Sequence, residues 1–597
     1  MSRFSRSVLS LLLSGLAMQA SAADSLIRQA RVFDGERIIG VRDVLIQDGK
    51  ISRIDSSIPA PAGAVITEAA GKTLLPGLID SHVHAFKDQE LPLLFGVTTQ
   101  IDLFAAQAAL QAFNRQLKEK NTQLPDTYSA GMLATVKGGH GTEYGLPVET
   151  LSAPDRAQAW VDARIVEGSH FIKIVMESGG HEHVVPSLSR DTVKALISAA
   201  HKRNKLALVH ISSIDDALFA LENGADGLVH LFTAKEISDQ QLSALVRAAK
   251  KHRAFVIPTF SVLNSIAGIK ADAVLANPAW MRWLTPVQQQ ALQQTYGRKP
   301  QPELVAPARK AAAAFQKAGI PVLAGTDAGN NGTQFGISMH QELLELVEAG
   351  LTPVQALQAA TSSPAKIFHL SDQGRIATGM VANLLLIDGQ PDQKITDTQR
   401  ITEVWKQGEP VSPLQQAQIK KVAAMQSNAI QLSAVTSLLQ IKNNKAASPF
   451  GTGWMAASDK MMGGKSTARM QVQQDSEAGP VLQLQANIQP GFAYPWAGVS
   501  LMPGARPMQA ANLEKASELR FKTRGDGQTY ALAFGIEGSF IPVQIPFQTS
   551  QDWQEVRVRF ADVAGLNMKL ITMISWNAGG AAGERQFEIA DIRLISE

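Results

Sequence analysis

Between about residue 76 and residue 370 the chain repeats one pattern: a short apolar run, a polar turn, then a stretch with helical periodicity. The apolar runs fall at 74–79, 97–101, 128–132, 171–175, 206–209, 227–229, 254–257 and 321–324, eight in all. Helical stretches lie between them, such as Asp191 to Arg203 and Ser213 to Asn223. Ser213 followed by Asp215 and Asp216 offers a capped, acidic helix start, and Asn223-Gly224 a stop. Eight alternating β and α units predict an α/β fold with a TIM-type (β/α)8 barrel over residues 76–370; a doubly wound open sheet is the alternative.

Flanking the repeat are stretches of other character. Residues 1–22 carry Arg3 and Arg6, an apolar run from Val8 to Met18, and Ala20-Ser21-Ala22. That is a secretory signal peptide with cleavage expected after Ala22, and its apolar run is too short to span a bilayer. A periplasmic or secreted protein with no membrane span after signal removal is the expectation. Asp34-Gly35 and Asp48-Gly49 punctuate short β runs near the start. Residues 23–75 and 371–410 are expected to form one composite small β-sandwich. Residues 411–447 read as a helical connector, and 448–597 as a separate strand-rich β-sandwich. The stretch from Pro258 to Ala308 is too long for a plain connection. With Trp280, Trp283 and a helical run from Pro286 to Tyr296, it reads as a lid over the barrel mouth.

A formal charge of +3 on 597 residues gives no basic stripe for nucleic acid. The absence of cysteine excludes disulfides, thiolate ligands and a lipobox. Any metal must be held by histidine, carboxylate or a modified lysine.

Barrel chemistry sits at the C-terminal ends of the strands. There the sequence places His82 and His84 after run one, Lys173 within run four, His210 after run five, His230 after run six and Asp327 after run eight. On a strand, residues i and i+2 share a face, so His82 and His84 project together. Neutral imidazoles bind zinc-like ions, and a carboxylate balances the charge. An ammonium at Lys173 would be costly to bury and would repel cations. Reaction of its amine with CO2 gives an anionic carbamate able to bridge two metals; an ion-paired or snorkelling lysine is the alternative. Asp327 sits where it would bind a metal and accept a proton from water; a helix N-cap is its bland reading.

Pro76-Gly77-Leu78-Ile79-Asp80-Ser81-His82-Val83-His84, Ile172-Lys173-Ile174, Val209-His210, Ala225-Asp226-Gly227-Leu228-Val229-His230 and Gly325-Thr326-Asp327, in this order, resemble the amidohydrolase superfamily. Nearest in pattern are imidazolonepropionase-like enzymes and Xaa-Pro dipeptidases. The resemblance covers about residues 24 to 410. It implies a binuclear site with two divalent ions, zinc foremost: His82 and His84 on one, His210 and His230 on the other, Lys173 bridging as carbamate, Asp327 as ligand and base. It also points to His140, in Gly138-Gly139-His140-Gly141, as a substrate contact, with a solvated loop histidine as the alternative. His181-Glu182-His183 reads as a mobile loop rather than a further metal site. Several dipeptidases of this type carry Tyr two residues after the strand-six histidine. Phe232 stands there, and its missing hydroxyl argues against a substrate α-carboxylate held at that point. Asn383 replaces the family's usual Asp, in the small β unit.

In the last domain, Trp454, Asp459 to Ser466, Arg524 to Tyr530 and Phe587 to Ile592 resemble the complex I intermediate-associated protein family. That implies a jelly-roll, galactose-binding-like sandwich. Phe492, Tyr494 and Trp496 cluster in one stretch and would stack on a carbohydrate or protein partner, or pack between domains. The expected activity is hydrolysis of a C–N bond of a small-molecule substrate: amide, peptide or cyclic amide. The alternatives are a lactonase or deaminase on the same site, or a non-catalytic binding or assembly protein acting through the last domain.

Overall fold

The computed structural model describes residues 24–143, 147–177, 185–427, 429–491, 494–539 and 542–596, without the side chains of 426, 427, 461 and 462. The signal-peptide stretch, His181-Glu182-His183 and Phe492 lie outside the described residues. Two compact units are present: Met1–Val274 with Gln294–Gln415, and Leu275–Gln293 with Gln416–Glu597.

In the first unit, an eight-stranded sheet is built from both ends of the unit. Ser25–Phe33, Ile38–Gln47, Lys50–Asp55 and Thr73–Pro76 come from the start, and Leu384–Ile387 and Ile401–Lys406 from the end. The hairpin at Asp48-Gly49 has both residues at positive φ, 49° and 76°, which is why Asp-Gly serves there. The run 74–79 divides between two sheets. Thr73–Pro76 pairs with Leu384–Ile387, and Leu78–Val83 opens the barrel. Gly77 separates them because a Cβ there would fall 2.3 Å from Thr98 Oγ1.

The barrel consists of two parallel sheets. One holds Leu78–Val83, Val97–Asp102 and Asp126–Ser129; the other holds Ile172–Val175, Ala207–His210, Gly227–Val229 and Phe255–Ile257. An Ala134–Ile174 bridge joins them on one side. On the other, the eighth run makes a single bridge, Val256–Val322, instead of a regular strand. Pro321 has no N–H to give a ladder. Closure still holds: Leu323 N donates to Val256 O at 2.8 Å, Ser81 N to Ala324 O at 2.9 Å, and Asp327 N to His82 O at 2.8 Å. The barrel interior is filled by Ile101, Leu208, Val229, Phe255, Ile257 and Leu323. Four of its helices start on side-chain caps: Ser189 accepts from Thr192 N, Ser213 from Asp216 N, and Ser238 and Thr352 form capping boxes.

Lys406, on the small sheet, is fully buried and pairs with Asp126 Oδ2 at 2.6 Å, at the base of the third barrel strand. Gln373 Nε2 donates to the same oxygen at 2.9 Å. Breaking a buried pair leaves an uncompensated charge. Lys406→Ala is expected to cost about 3–5 kcal/mol of unfolding free energy. Urea denaturation reads this directly, and a loss below about 1 kcal/mol would mean the pair is dispensable.

The second unit is an antiparallel sandwich. One sheet runs Thr467–Asp475, Gly479–Ile488, Gly583–Ser596, Ala516–Gly525, Gln554–Arg559; the other runs Gly453–Ser458, Trp496–Met502, Ile571–Gly579, Thr529–Ile536, Val543–Gln548. Leu484, Phe521, Phe534, Trp576 and Phe587 fill the space between them. After the helix Ser412–Ser427, the chain is already in strands from Val435, which pairs with Ile595. Asp459 is buried and accepts from Ser466 N (2.9 Å), Ser466 Oγ (2.7 Å) and Trp496 N (3.1 Å), so the Asp459-to-Ser466 motif is a structural turn. Of the Pro258-to-Ala308 stretch read as a lid, Leu275–Gln293 clusters with this unit. Val287 packs on the sandwich core, and Asn567 Nδ2 donates to Gln290 Oε1 at 3.0 Å. Trp496 opens a strand and is half-buried, whereas Tyr494 is 82% exposed. Among the described residues no helix is long and apolar enough to cross a membrane.

Candidate metal centre

The ends of the barrel strands carry the predicted ligands. His82 lies in Leu78–Val83, with His84 just beyond it. Lys173 lies inside Ile172–Val175, His210 ends Ala207–His210, and His230 follows Gly227–Val229. Asp327 follows the eighth run. Asp327 Oδ1 stands 3.0 Å from His84 Nε2 and 3.3 Å from His82 Nε2. These three residues alone, among those described, bring ligand atoms within 4.8 Å of one another as a group of three. His230 joins them, with Nδ1 3.8 Å from Asp327 Oδ2 and its ring centroid 4.6 Å from that of His82. His210 continues the series at 4.7 Å from His230, and His140 stacks on His210 at 4.9 Å.

Charge states suit a cation. Burial drives His82 and His210 well below the ordinary imidazole range and His230 down to about 3. All three are therefore neutral and hold a lone pair. Burial pushes the Asp327 carboxyl up, but His82, His230 and His84 outweigh that and hold it well below the carboxylate range. Lys173 is buried and makes no ion pair among the described residues. Desolvation pushes its amine down to about 7, against the pull of Asp327 and Asp102. Both nitrogens of His82 and His84 Nδ1 are buried without a hydrogen-bond partner among the described residues. Buried polar atoms rarely stay unpaired, and a divalent ion satisfies this donor set.

Other residues hold the ligands in place, and sequence reading missed them. Asp80 is fully buried; it accepts from Thr326 N (3.0 Å), Thr326 Oγ1 (2.7 Å) and His82 N (3.2 Å). It thereby ties the first strand to the last. Asp102 accepts from Ala85 N (2.8 Å) and Ser129 Oγ (2.5 Å) and fixes the turn after His84. An acid inside an apolar run was the available signal for both. Asn330 Nδ2 donates to Asp327 O at 3.0 Å, and Tyr296 OH donates to Asn330 Oδ1 at 2.8 Å.

Of the expected substrate contacts, His140 is 31% exposed at its side chain and borders the histidine series. Its Nδ1 lies 3.1 Å from Glu143 Oε1 and 3.9 Å from Glu177 Oε2, acids the sequence reading left out. Phe232 is the second position named as a substrate contact. It is fully buried, because a side chain with no polar atom packs inward, and it offers a substrate no surface.

Residues 73–413, more than half of the chain, match the amidohydrolase family. Residues 442–568 match the Complex I intermediate-associated protein 30 family. A dihydroorotase of Geobacter sulfurreducens is 45% identical over 60 residues, 10% of this chain and 14% of the relative. An uncharacterised protein of Mycobacterium bovis is 26% identical over 326 residues, 53% of this chain and 78% of the relative. The crystal structure of a Xaa-Pro dipeptidase with bound methionine aligns at TM-score 0.50 and 21% identity, over 65% of this chain and 99% of that one. The chain thus spans only a small part of the dihydroorotase it matches.

Proposed function

Because the chain belongs to the amidohydrolase family, we propose that it is a secreted metal-dependent hydrolase that cleaves a carbon–nitrogen bond of a small molecule. The observation that carries this reading is the group of buried His82, half-buried His84 and buried Asp327, whose ligand atoms lie within 4.8 Å of one another at the ends of barrel strands. A divalent ion bound there, zinc by donor type, acidifies water to a pKa of roughly 7 and polarises a carbonyl. His82 and His84 would hold one ion. His210 and His230, with Lys173 as its carbamate, would hold a second. Asp327, ionised and beside both histidine pairs, takes the proton from water at its carboxylate and returns it to the leaving nitrogen. Asn330 and Tyr296 keep the Asp327 backbone in position. Glu143 and Glu177 flank His140, so a substrate group placed there is neutral or cationic rather than anionic.

The sandwich of the second unit is a binding module in this reading, with Tyr494 as its exposed aromatic contact for a carbohydrate or protein partner. Secretion rests on the composition of residues 1–22.

The test is metal analysis joined to a hydrolysis screen of cyclic amides, Xaa-Pro dipeptides, N-acyl amino acids and lactones. Protein stripped by a chelator is expected to lose at least ~100-fold in rate and to recover it with zinc. Rates that do not change on stripping would end the metal-hydrolase reading. Turnover of lactones alone would move the reaction to a C–O bond.

A further inference from the structure

After the sixth, seventh and eighth barrel runs the backbone turns left-handed at one residue each: His230 at φ 68°, Thr259 at 54° and Asp327 at 54°. For a β-branched residue such as Thr259 this conformation is a true outlier, and its cost is met by surrounding structure. Glu342, fully buried on the helix Ile337–Glu348, supplies that support. It accepts from Phe260 N (2.9 Å), Ser261 N (2.8 Å) and Ser261 Oγ (2.9 Å), the two residues that follow Thr259. The strained turn is therefore clamped from its C-terminal side.

The clamp aims one hydroxyl. Thr259 Oγ1 donates to Pro258 O at 2.8 Å and lies 2.8 Å from His230 Nδ1. A hydroxyl has one hydrogen and two lone pairs. With the hydrogen committed to Pro258 O, a lone pair faces His230. Asp327 Oδ2, 3.8 Å from the same nitrogen, adds negative potential on that side.

We infer that Thr259 is a positioning residue that holds His230 in its Nδ1–H tautomer, with Nδ1–H donating to the hydroxyl and the Nε2 lone pair kept for a cation. Ring nitrogens of ligating histidines are commonly fixed by an acceptor at the other nitrogen. Here the acceptor is a hydroxyl whose direction is set by a strained turn and a buried glutamate. The tautomer stands on geometry alone; only its use for a cation rests on the proposed function.

The deciding measurement is long-range ¹H–¹⁵N correlation of the histidine rings in metal-free, full-length protein. Wild-type His230 is expected as Nδ1–H. Thr259→Val keeps the β-branched shape and the strain but removes the acceptor, and Nδ1–H should become the minor form. Thr259→Ser should restore it. Thr259→Gly relieves the strain and also lacks the hydroxyl, so it gives the same answer as Val should Val not fold. Zinc titration should show the second ion bound about 10–100-fold more weakly in the Val and Gly variants and normally in Ser. A wild-type His230 in the Nε2–H form, or a tautomer unmoved by Val and Gly, overturns the inference. An Nδ1–H tautomer that responds to Val in a chain that binds no zinc upholds the inference and counts against the hydrolase reading instead.

Discussion

Asp327→Asn is expected to lower kcat by roughly 10³-fold or more and to leave the melting temperature within a few degrees of wild type. The substitution is close to isosteric. Asparagine is also among the few residues that adopt positive φ at small cost, so the 54° backbone at this position survives. Asn330 Nδ2 donates to the main-chain oxygen of residue 327, and Thr326 is held by Asp80, so neither support depends on the lost charge. What disappears is the carboxylate oxygen 3.0 Å from His84 and 3.3 Å from His82, and with it the negative charge that faces both rings. An amide cannot take a proton from water near neutrality. Stopped or steady-state kinetics on zinc-loaded protein settles the point. Turnover within tenfold of wild type would place the base on another residue, with Glu177 beside His140 the next to test.

Why the ligands were readable and their supports were not follows from how each is encoded. His82, His84, His210, His230 and Asp327 interrupt or end apolar runs, so a polar residue out of place marks them one by one. Asp80 and Asp102 are acids set among the same apolar runs, but neither carries a motif of its own that separates a support from a ligand. Thr259 is invisible to patterning: nothing local marks its positive φ, and Glu342, 83 positions later, ties down the two residues that follow. Side chains that act through a long-range contact leave no local period. The eighth run shows the reverse case. Its sequence reads as a strand, yet Pro321 cannot donate, and Gly325 is packed so that a Cβ would stand 2.9 Å from His82 N. Tertiary approach, not propensity, shapes that segment. That the stretch around Trp280 clusters with the second unit is not legible in its sequence for a related reason. A long insertion with buried aromatics tells that it packs, but not against what.

Lys173→Ala is expected to reduce activity about 10³-fold, to remove the second ion, and to regain part of its rate in millimolar acetate or propionate. Lys173 stands in Ile172–Val175 opposite Leu208, buried, with no carboxylate paired to it among the described residues. An ammonium kept there would face desolvation and would push cations away. Its amine, brought down to about 7, is in part the free base near neutrality and open to CO2. A carbamate formed there would have the two-oxygen head of a carboxylate. Truncation to alanine leaves a cavity that a short carboxylic acid fills, which supplies the same head without the tether. Lys173→Arg separates this from a plain structural role. Arginine keeps length and positive charge but forms no stable carbamate, so it should be as inactive as alanine and deaf to acetate, because the space remains filled. Native mass spectrometry of wild-type protein with bicarbonate should show one CO2 adduct that Lys173→Arg lacks. An active arginine variant, or alanine activity indifferent to every small acid, would mean that Lys173 serves as an amine and that the second ion, if bound, is held by His210 and His230 without a bridge.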